Sequence, residues 1–112
     1  MTQTQQTSRR TDLMNVPLHP PAGPLELHGY TAATPAGSTS GRHRHPYPTL
    51  VYVLAGTYRL EEGEHGEKVT DYRAGDMFSE PAGVVVNGHA LTDATLLVIL
   101  PAEPGKPESE AV

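Results

Sequence analysis

The chain contains no cysteine among its 112 residues. It therefore has no disulfide framework, no thiolate nucleophile and no metal site built on sulfur. Any transition metal that it binds must be held by histidine together with carboxylate, hydroxyl or water ligands. The six histidines are consequently the residues in which metal chemistry is to be sought.

Large aromatic residues are also scarce, since the chain has no tryptophan and a single phenylalanine, Phe78. The core must then be built from Val, Leu, Ala, Met and Tyr side chains. The length allows one domain and leaves no room for a second. Because such a core is adequate but not generous, an interface with a second copy would usefully bury more apolar surface, and we predict a homodimer.

Positive charge is sparse, and no long apolar segment occurs. A formal net charge of −5 without any Lys/Arg run argues against nucleic acid and anionic membranes as partners. The N-terminal stretch Met-Thr-Gln-Thr-Gln-Gln lacks the apolar region of a signal peptide, and no segment of membrane-spanning length is apolar. We therefore expect a soluble, cytoplasmic protein.

Glycine and proline, eleven of each, divide the chain into short segments rich in β formers. The segments recur at about 8 to 12 residue intervals with turn signals between them, which is typical of an all-β sandwich or barrel. A short edge segment is expected at 13–18, and the predicted strands cover residues 25–34, 43–45, 49–55, 57–62, 67–72, 77–80, 84–89 and 95–100.

The two ends of the chain are polar and show no apolar periodicity. Such segments bury too little apolar surface to offset the entropy lost on ordering. We predict that residues 1–12 form a flexible N-terminal arm, that 13–101 form the β-barrel domain, and that 102–112 form a flexible C-terminal tail.

His43 and His45 precede the apolar, β-branched run at 49–55, which ends at Gly56. In a strand, residues i and i+2 point to the same face, about 6 to 7 Å apart. Two imidazoles placed in this way can converge on one metal ion, and a metal-free pair in a polar pocket is the alternative. Of the other histidines, His28 is expected on a strand surface or in the core.

The spacing around the pair resembles the first motif of the cupin superfamily. That motif reads glycine, five residues, His-x-His, three or four residues, glutamate, six residues, glycine. Gly37, His43, His45 and Gly56 stand at the corresponding positions, and Thr49 stands where the family usually has glutamate.

A second glycine-anchored motif follows in the expected order. Gly75 and the Pro-Ala-Gly triplet at 81–83 match the family pattern, but Val86 and Ala90 stand where the family usually has histidine and asparagine. The resemblance covers about residues 24–101. It implies a small, single-domain, all-β protein with the cupin jelly-roll fold, also called a double-stranded β-helix barrel.

The resemblance also implies a metal site, because cupins usually bind a metal with three histidines and one glutamate. His43 and His45 match two of these ligand positions. His89 is the candidate for the third ligand: regular strand parity turns it away from the pair, whereas a bulge at Asn87-Gly88 would turn it inward. Glu80 is expected to be a surface or sheet-end charge.

Two functions are consistent with these residues. The first is a metal-dependent enzyme in which His43, His45 and His89 hold a divalent transition metal, namely Zn, Fe, Ni, Cu or Mn, and the family implies oxygenase, isomerase, cyclase or lyase chemistry on a small organic molecule. The second is a non-catalytic cupin that binds or senses a small molecule through a degenerate metal site. No catalytic residue can be assigned from the sequence.

Overall fold

The computed structural model describes residues 8–112, apart from the side chain of Met14. These residues form ten strands and no helix. The strands are Arg9–Leu18 (β1), Leu25–Thr34 (β2), His43–Arg44 (β3), Thr49–Ala55 (β4), Thr57–Glu62 (β5), Lys68–Arg73 (β6), Met77–Glu80 (β7), Val86–Ala90 (β8), Ala94–Ala102 (β9) and Glu110–Ala111 (β10). Two antiparallel five-stranded sheets result. Sheet A has the order β1-β2-β9-β4-β7, and sheet B has the order β10-β3-β8-β5-β6.

The predicted all-β barrel is confirmed, and the strand assignments agree closely with the prediction. β1 begins four residues before the predicted edge segment, β8 begins two residues after its predicted start, and β3 covers His43–Arg44 only, one residue less than predicted. Pro46 and Pro48 follow directly, and a proline has no N–H to donate to a sheet, so the chain bends there before β4 begins. The histidine pair therefore lies at the end of a very short strand.

The core lies between the two sheets and is built from small aliphatic side chains. Burial alternates strictly along β9, where every second residue from Ala94 to Ala102 faces the interior. Leu60, Leu100, Val53 and Val86 are essentially inaccessible to solvent. The single phenylalanine, Phe78, stacks on Tyr72 with ring centroids 4.2 Å apart. The alternating burial along β9 has the two-residue period of a strand with one face packed against a core.

The turn between β4 and β5 needs glycine for two reasons. Gly56 has a φ of 82°, in the left-handed region that side chains disfavour. A Cβ atom at this position would also lie 2.1 Å from the carbonyl oxygen of Asp93. The turn therefore fixes where β4 ends and how closely the loop before β9 approaches it.

Both ends of the chain carry strands in the part that the structure describes. Residues 9–12 of the predicted arm belong to β1, which pairs with β2, whereas residues 1–7 lie outside the described range. In the predicted tail, β10 pairs with β3. The Glu108 carboxylate accepts two hydrogen bonds from Arg10, at 2.7 and 2.9 Å. Ion pairing between residues far apart in the sequence thus holds the two polar ends of the chain against the barrel.

No helix among residues 8–112 is long and apolar enough to cross a membrane.

The core packing predicts the effect of truncating one leucine. Leu60 is completely buried, so we expect Leu60→Ala to lower the free energy of unfolding by about 2 to 5 kcal/mol, measured by urea denaturation. The same truncation at Leu91, which is 42% exposed, is the matched control and should cost less than about 1 kcal/mol. Equal losses in the two variants would contradict this description of the core.

A second prediction concerns pH. Hydrogen bonds to Glu108 and Glu26 raise the pKa of His28 above 6.5, and the hydrogen bond from Arg10, together with that from His28, lowers the pKa of Glu108 below 4.5 against the effect of burial. The stabilisation from His28 is complete below pH 6.5 and is lost as pH rises through its folded-state pKa. That from Glu108 is present above pH 4.5 and is lost as pH falls through its folded-state pKa.

The stability difference between wild type and His28→Gln should therefore be largest between pH 4.5 and 6.5 and should shrink at higher pH. Urea titrations of the metal-free proteins across this range measure it. A difference that is the same at pH 5.5 and at about pH 9 would rule out a charged His28 in the folded protein.

Candidate metal centre

The two histidines of the pair are held together near one edge of sheet B, where β3 lies between β10 and β8. His43 lies opposite Val86 of β8, and His45 follows directly after β3. The backbone N–H of Gly83 donates to the carbonyl of His45 at 2.8 Å, which fixes the chain after the strand ends. The two imidazole rings are 4.9 Å apart between centroids and are mutually perpendicular. The structure therefore brings His43 and His45 together, as their spacing predicts.

The third member of the cluster is Glu80, at the end of β7 in sheet A. Its side chain is buried, with 7% of the residue exposed. Oε1 lies 2.9 Å from Nε2 of His45 and 3.8 Å from Nε2 of His43. Each of the three residues offers one ligand atom, and these atoms all lie within 4.8 Å of one another.

Glu80 was expected to be a surface or sheet-end charge; it does lie at the end of a strand, but the surface expectation is wrong, because the side chain is buried. It is the register partner of Thr49, so its carboxylate enters the cavity next to the position where the family usually has glutamate. A signal was present in the sequence, because Phe78 is apolar and Glu80, two residues later, must share its face. In a strand of four residues, however, that alternation is too short to decide which face is buried.

Each imidazole has its outer nitrogen hydrogen-bonded to a backbone carbonyl. Nδ1 of His43 donates to Gly41 at 2.8 Å, and Nδ1 of His45 donates to Glu108 at 3.0 Å. A carbonyl oxygen can only accept, so both Nδ1 atoms must carry a hydrogen. In a neutral imidazole this leaves the lone pair on Nε2, and both Nε2 atoms face Glu80. Histidines that bind metals are oriented in the same way, so the donor set fits a cation.

Burial and hydrogen bonding oppose each other at these groups. Burial raises the pKa of Glu80, but the interactions with His43 and His45, which pair with the carboxylate through Nε2–H when the imidazoles are protonated, outweigh burial and bring the pKa below its usual value. For His43, burial lowers the pKa, while the interactions with Glu80 and the Gly41 carbonyl raise it further than burial lowers it. Glu80 is therefore ionised at neutral pH, and its carboxylate offers a negative charge to a cation that takes the place of the protons on the two Nε2 atoms.

The structure does not bring His89 to the pair. The pairing between β5 and β8 has no register shift, and His89 lies opposite Arg59 on the outer side of sheet B. Its Nε2 is 2.6 Å from Oε1 of Glu61, a half-buried surface partner. Without a bulge at Asn87-Gly88, regular parity holds, and Val86 points inward with only 1% of its surface exposed.

The cluster opens into a cavity of about 600 Å³ between the sheets. Its walls are mainly apolar, from Val51, Leu96 and Val98, with tyrosines Tyr30 and Tyr58 among them. Burial raises the pKa of both tyrosines to about 12, so their hydroxyls stay protonated at neutral pH.

Gly88 leaves room for the side chain of Tyr58. A Cβ atom at Gly88 would lie 2.0 Å from the hydroxyl oxygen of that tyrosine. Any larger residue would push the ring out of its place in the cavity wall. The glycine of β8 therefore serves the shape of the cavity rather than a turn.

Several solved structures resemble this fold. KdgF from Halomonas sp. is 18% identical, with a TM-score of 0.69, over 89% of this chain and 82% of that chain. DMSP lyase DddQ from Ruegeria pomeroyi DSS-3 is 21% identical, with a TM-score of 0.64, over 76% of this chain and 42% of that chain. Salicylate 1,2-dioxygenase from Pseudoaminobacter salicylatoxidans, solved as adducts with gentisate, is 18% identical, with a TM-score of 0.59, over 71% of this chain and 24% of that chain.

At identities this low, the likeness shows the shared fold alone. Comparison with curated protein sequences gives no match. Residues 30–100 match the family model described as Cupin domain. That range contains both histidines of the pair and Glu80, and it covers most of the chain. The family match agrees with the two-sheet barrel, and the chain belongs to the cupin superfamily.

Proposed function

We propose that the protein is a small metal-dependent cupin enzyme that binds one divalent transition metal through His43, His45 and Glu80 and acts on a small organic molecule. The observation that carries the proposal is the placement of Glu80. A buried carboxylate beside Thr49 restores the negative charge that the sequence lacks at the usual glutamate position. The proposed ligand set therefore contains Glu80 in place of His89.

Two imidazole nitrogens and one carboxylate oxygen form a donor set of intermediate softness, suited to Zn, Fe, Ni, Cu or Mn. Three protein ligands leave coordination positions open for a substrate, as in catalytic rather than structural sites. A metal bound here would supply Lewis-acid or redox chemistry. The spacing of the donors does not select one metal.

The cavity supplies the features that a small organic substrate needs. A volume of about 600 Å³ lies within the range of small-molecule sites, which are mostly apolar with a few fixed polar groups. Val51, Leu96 and Val98 offer the apolar surface. Tyr30 and Tyr58 remain protonated, so at neutral pH they serve as hydrogen-bond donors and orient a substrate oxygen rather than remove a proton.

The similar structures support an enzyme of this class, because they include a lyase and a dioxygenase. A non-catalytic role in small-molecule binding is the second candidate, and the apolar cavity favours it independently of any metal. The two roles differ in one measurable respect. A binding protein retains affinity for its ligand when the metal is removed, whereas the enzyme loses turnover.

Metal content tests the ligand set. Protein purified without added chelator should contain about one transition metal ion per chain by mass spectrometry. A metal at 100 times its dissociation constant should add about 2.7 kcal/mol to the unfolding free energy. His43→Ala, His45→Ala and Glu80→Gln should each lose the metal, because each removes one of three donors.

His89→Ala is the control for this experiment and should keep the metal, because His89 faces outward and contacts Glu61. Loss of metal in His89→Ala together with retention in Glu80→Gln would reverse the assignment. A wild-type protein that binds no transition metal and gains no stability on metal titration would refute the metal site as a whole.

We further propose that the protein is a homodimer formed through the outer face of sheet A. On this face Leu50 lies opposite Ile99, and Tyr52 lies opposite both Leu97 and Met77. Residues opposite each other in an antiparallel pair point to the same side, so these side chains are contiguous. Leu50 is 44% exposed and Met77 is 63% exposed.

Charge supports a second copy as the occupant of this face. The outward positions of β2, β4, β7 and β9 carry no Lys, Arg, Asp or Glu, although the chain as a whole has a net charge of −5. Two copies can therefore meet there about a twofold axis without like-charge repulsion. Contiguous exposed apolar side chains that are not interrupted by charge are typical of an interaction site.

Light scattering after size-exclusion chromatography tests the dimer. Wild type should have the mass of two chains, and Leu50→Lys should have the mass of one, because the new charge would be buried in the interface. Val69→Lys is the matched control, since Val69 is 52% exposed on β6 of sheet B, and it should remain dimeric. A monomeric wild type would refute the proposal.

A further inference from the structure

The C-terminal segment, residues 103–112, crosses from one sheet to the other and is called the strap below. It leaves sheet A at the end of β9 and joins sheet B through β10. Ala111 pairs with His43, and Glu110 pairs with Arg44. The backbone N–H of Val112 donates to the carbonyl of Arg42 at 3.1 Å. The strap therefore forms the outer neighbour of the strand that carries the histidine pair.

One residue of the strap contacts a proposed metal ligand directly. The carbonyl oxygen of Glu108 accepts the hydrogen bond from Nδ1 of His45, at 3.0 Å. Ser109 and Ala111 line the same cavity as the histidines. The strap is thus part of the wall around the site, although its sequence is polar and contains two prolines and one glycine in its first half.

The side chain of Glu108 is anchored on the opposite sheet. Its carboxylate accepts two hydrogen bonds from Arg10 of β1, at 2.7 and 2.9 Å, and one from Nδ1 of His28 of β2, at 2.5 Å. Arg10 in turn lies over the ring of Tyr30, 3.9 Å from its centroid. The two-point contact between guanidinium and carboxylate fixes orientation as well as distance.

These contacts link the metal site to the first two strands through one residue. We propose that Glu108 is a positioning residue of the metal centre: Arg10 and His28 hold its side chain, and its carbonyl thereby orients His45 with Nε2 toward the metal. This inference rests on the proposed function. The inference extends the proposed site to Glu108, which lies outside the residues that match the family model.

The physical basis is the effect of an outer hydrogen bond on a histidine ligand. The acceptor on Nδ1 selects the tautomer and restrains rotation of the ring, so less conformational entropy is lost when the metal binds. Removing such a partner typically weakens metal binding by about 10- to 100-fold. In Glu108→Ala the carbonyl remains but its anchor is gone, so the expected loss lies near the lower end of that range.

The test compares two identical substitutions in the strap. Glu108→Ala should raise the dissociation constant for Zn²⁺, used alone as the probe in isothermal titration calorimetry, by about tenfold or more. Glu110→Ala is the matched control: the Glu110 side chain makes an exposed ion pair with Arg44 and not with Arg10 or His28, so the Zn²⁺ affinity of this variant should stay within about twofold of wild type.

Arg10→Gln gives an independent variant in case Glu108→Ala does not fold. It leaves Glu108 in place and removes the two-point anchor, so it should weaken Zn²⁺ binding in the same direction. Wild-type affinity in folded Glu108→Ala or in folded Arg10→Gln would overturn the inference, as would an equal loss in Glu110→Ala.

Nitrogen-15 NMR of the metal-free protein separates this inference from the proposed function. In wild type, His45 should show a protonated Nδ1, and in Glu108→Ala the hydrogen should be distributed over both nitrogens whenever the ring is neutral. A wild type that binds no Zn²⁺ but shows this change would refute the metal site and support the positioning role. An unchanged His45 signal in Glu108→Ala would refute the positioning role.

Discussion

The contact between Glu80 and the two histidines is the interaction on which the candidate site depends, and it joins the two sheets of the barrel. A carboxylate taken out of water costs several kcal/mol unless charged or hydrogen-bonding partners replace the lost hydration. Glu80 comes from sheet A, whereas His43 and His45 come from sheet B, so the partners are available only when the two sheets meet at this edge. The pairing of the two sheets at this edge and the geometry of the candidate metal site therefore depend on the same contact.

The position of the carboxylate shows how a cupin site can keep its charge after losing the usual residue. Thr49 and Glu80 are register partners on adjacent strands and point into the same cavity. Side chains at such paired positions are only about 5 Å apart at Cβ, within reach of a glutamate side chain. A glutamate on the neighbouring strand can thus place its carboxylate oxygen close to where a glutamate at position 49 would place it. The third usual imidazole has no such replacement, because a buried core side chain, Val86, occupies its position.

The ends of the chain meet beside this site. Glu108, near the C-terminus, contacts Arg10 and His28 from the first two strands and also touches His45 through its carbonyl. At this edge of the barrel, ion pairs rather than apolar contacts join the C-terminal segment to β1 and β2.

Much of the fold follows from local sequence. Glycine and proline mark the turns, the two-residue period marks the strands, and the spacing of His43 and His45 places both imidazoles on one face. These features depend on neighbours in the chain, and the structure agrees with them. Which face of β8 carries His89 depends on whether the strand contains a bulge. The strand has no bulge, so His89 faces outward.

The sequence by itself determined the all-β barrel, most strand positions between residues 13 and 101, and the histidine pair, because each depends on interactions between residues close together in the chain. Only the tertiary structure decided that Glu80 completes the cluster and that the C-terminal segment packs against it. Both depend on charges brought together across long separations, Glu80 with His45 and Glu108 with Arg10. Polar composition indicates a solvated segment until its partner is known, since the same charges that favour water also form the ion pairs that order it.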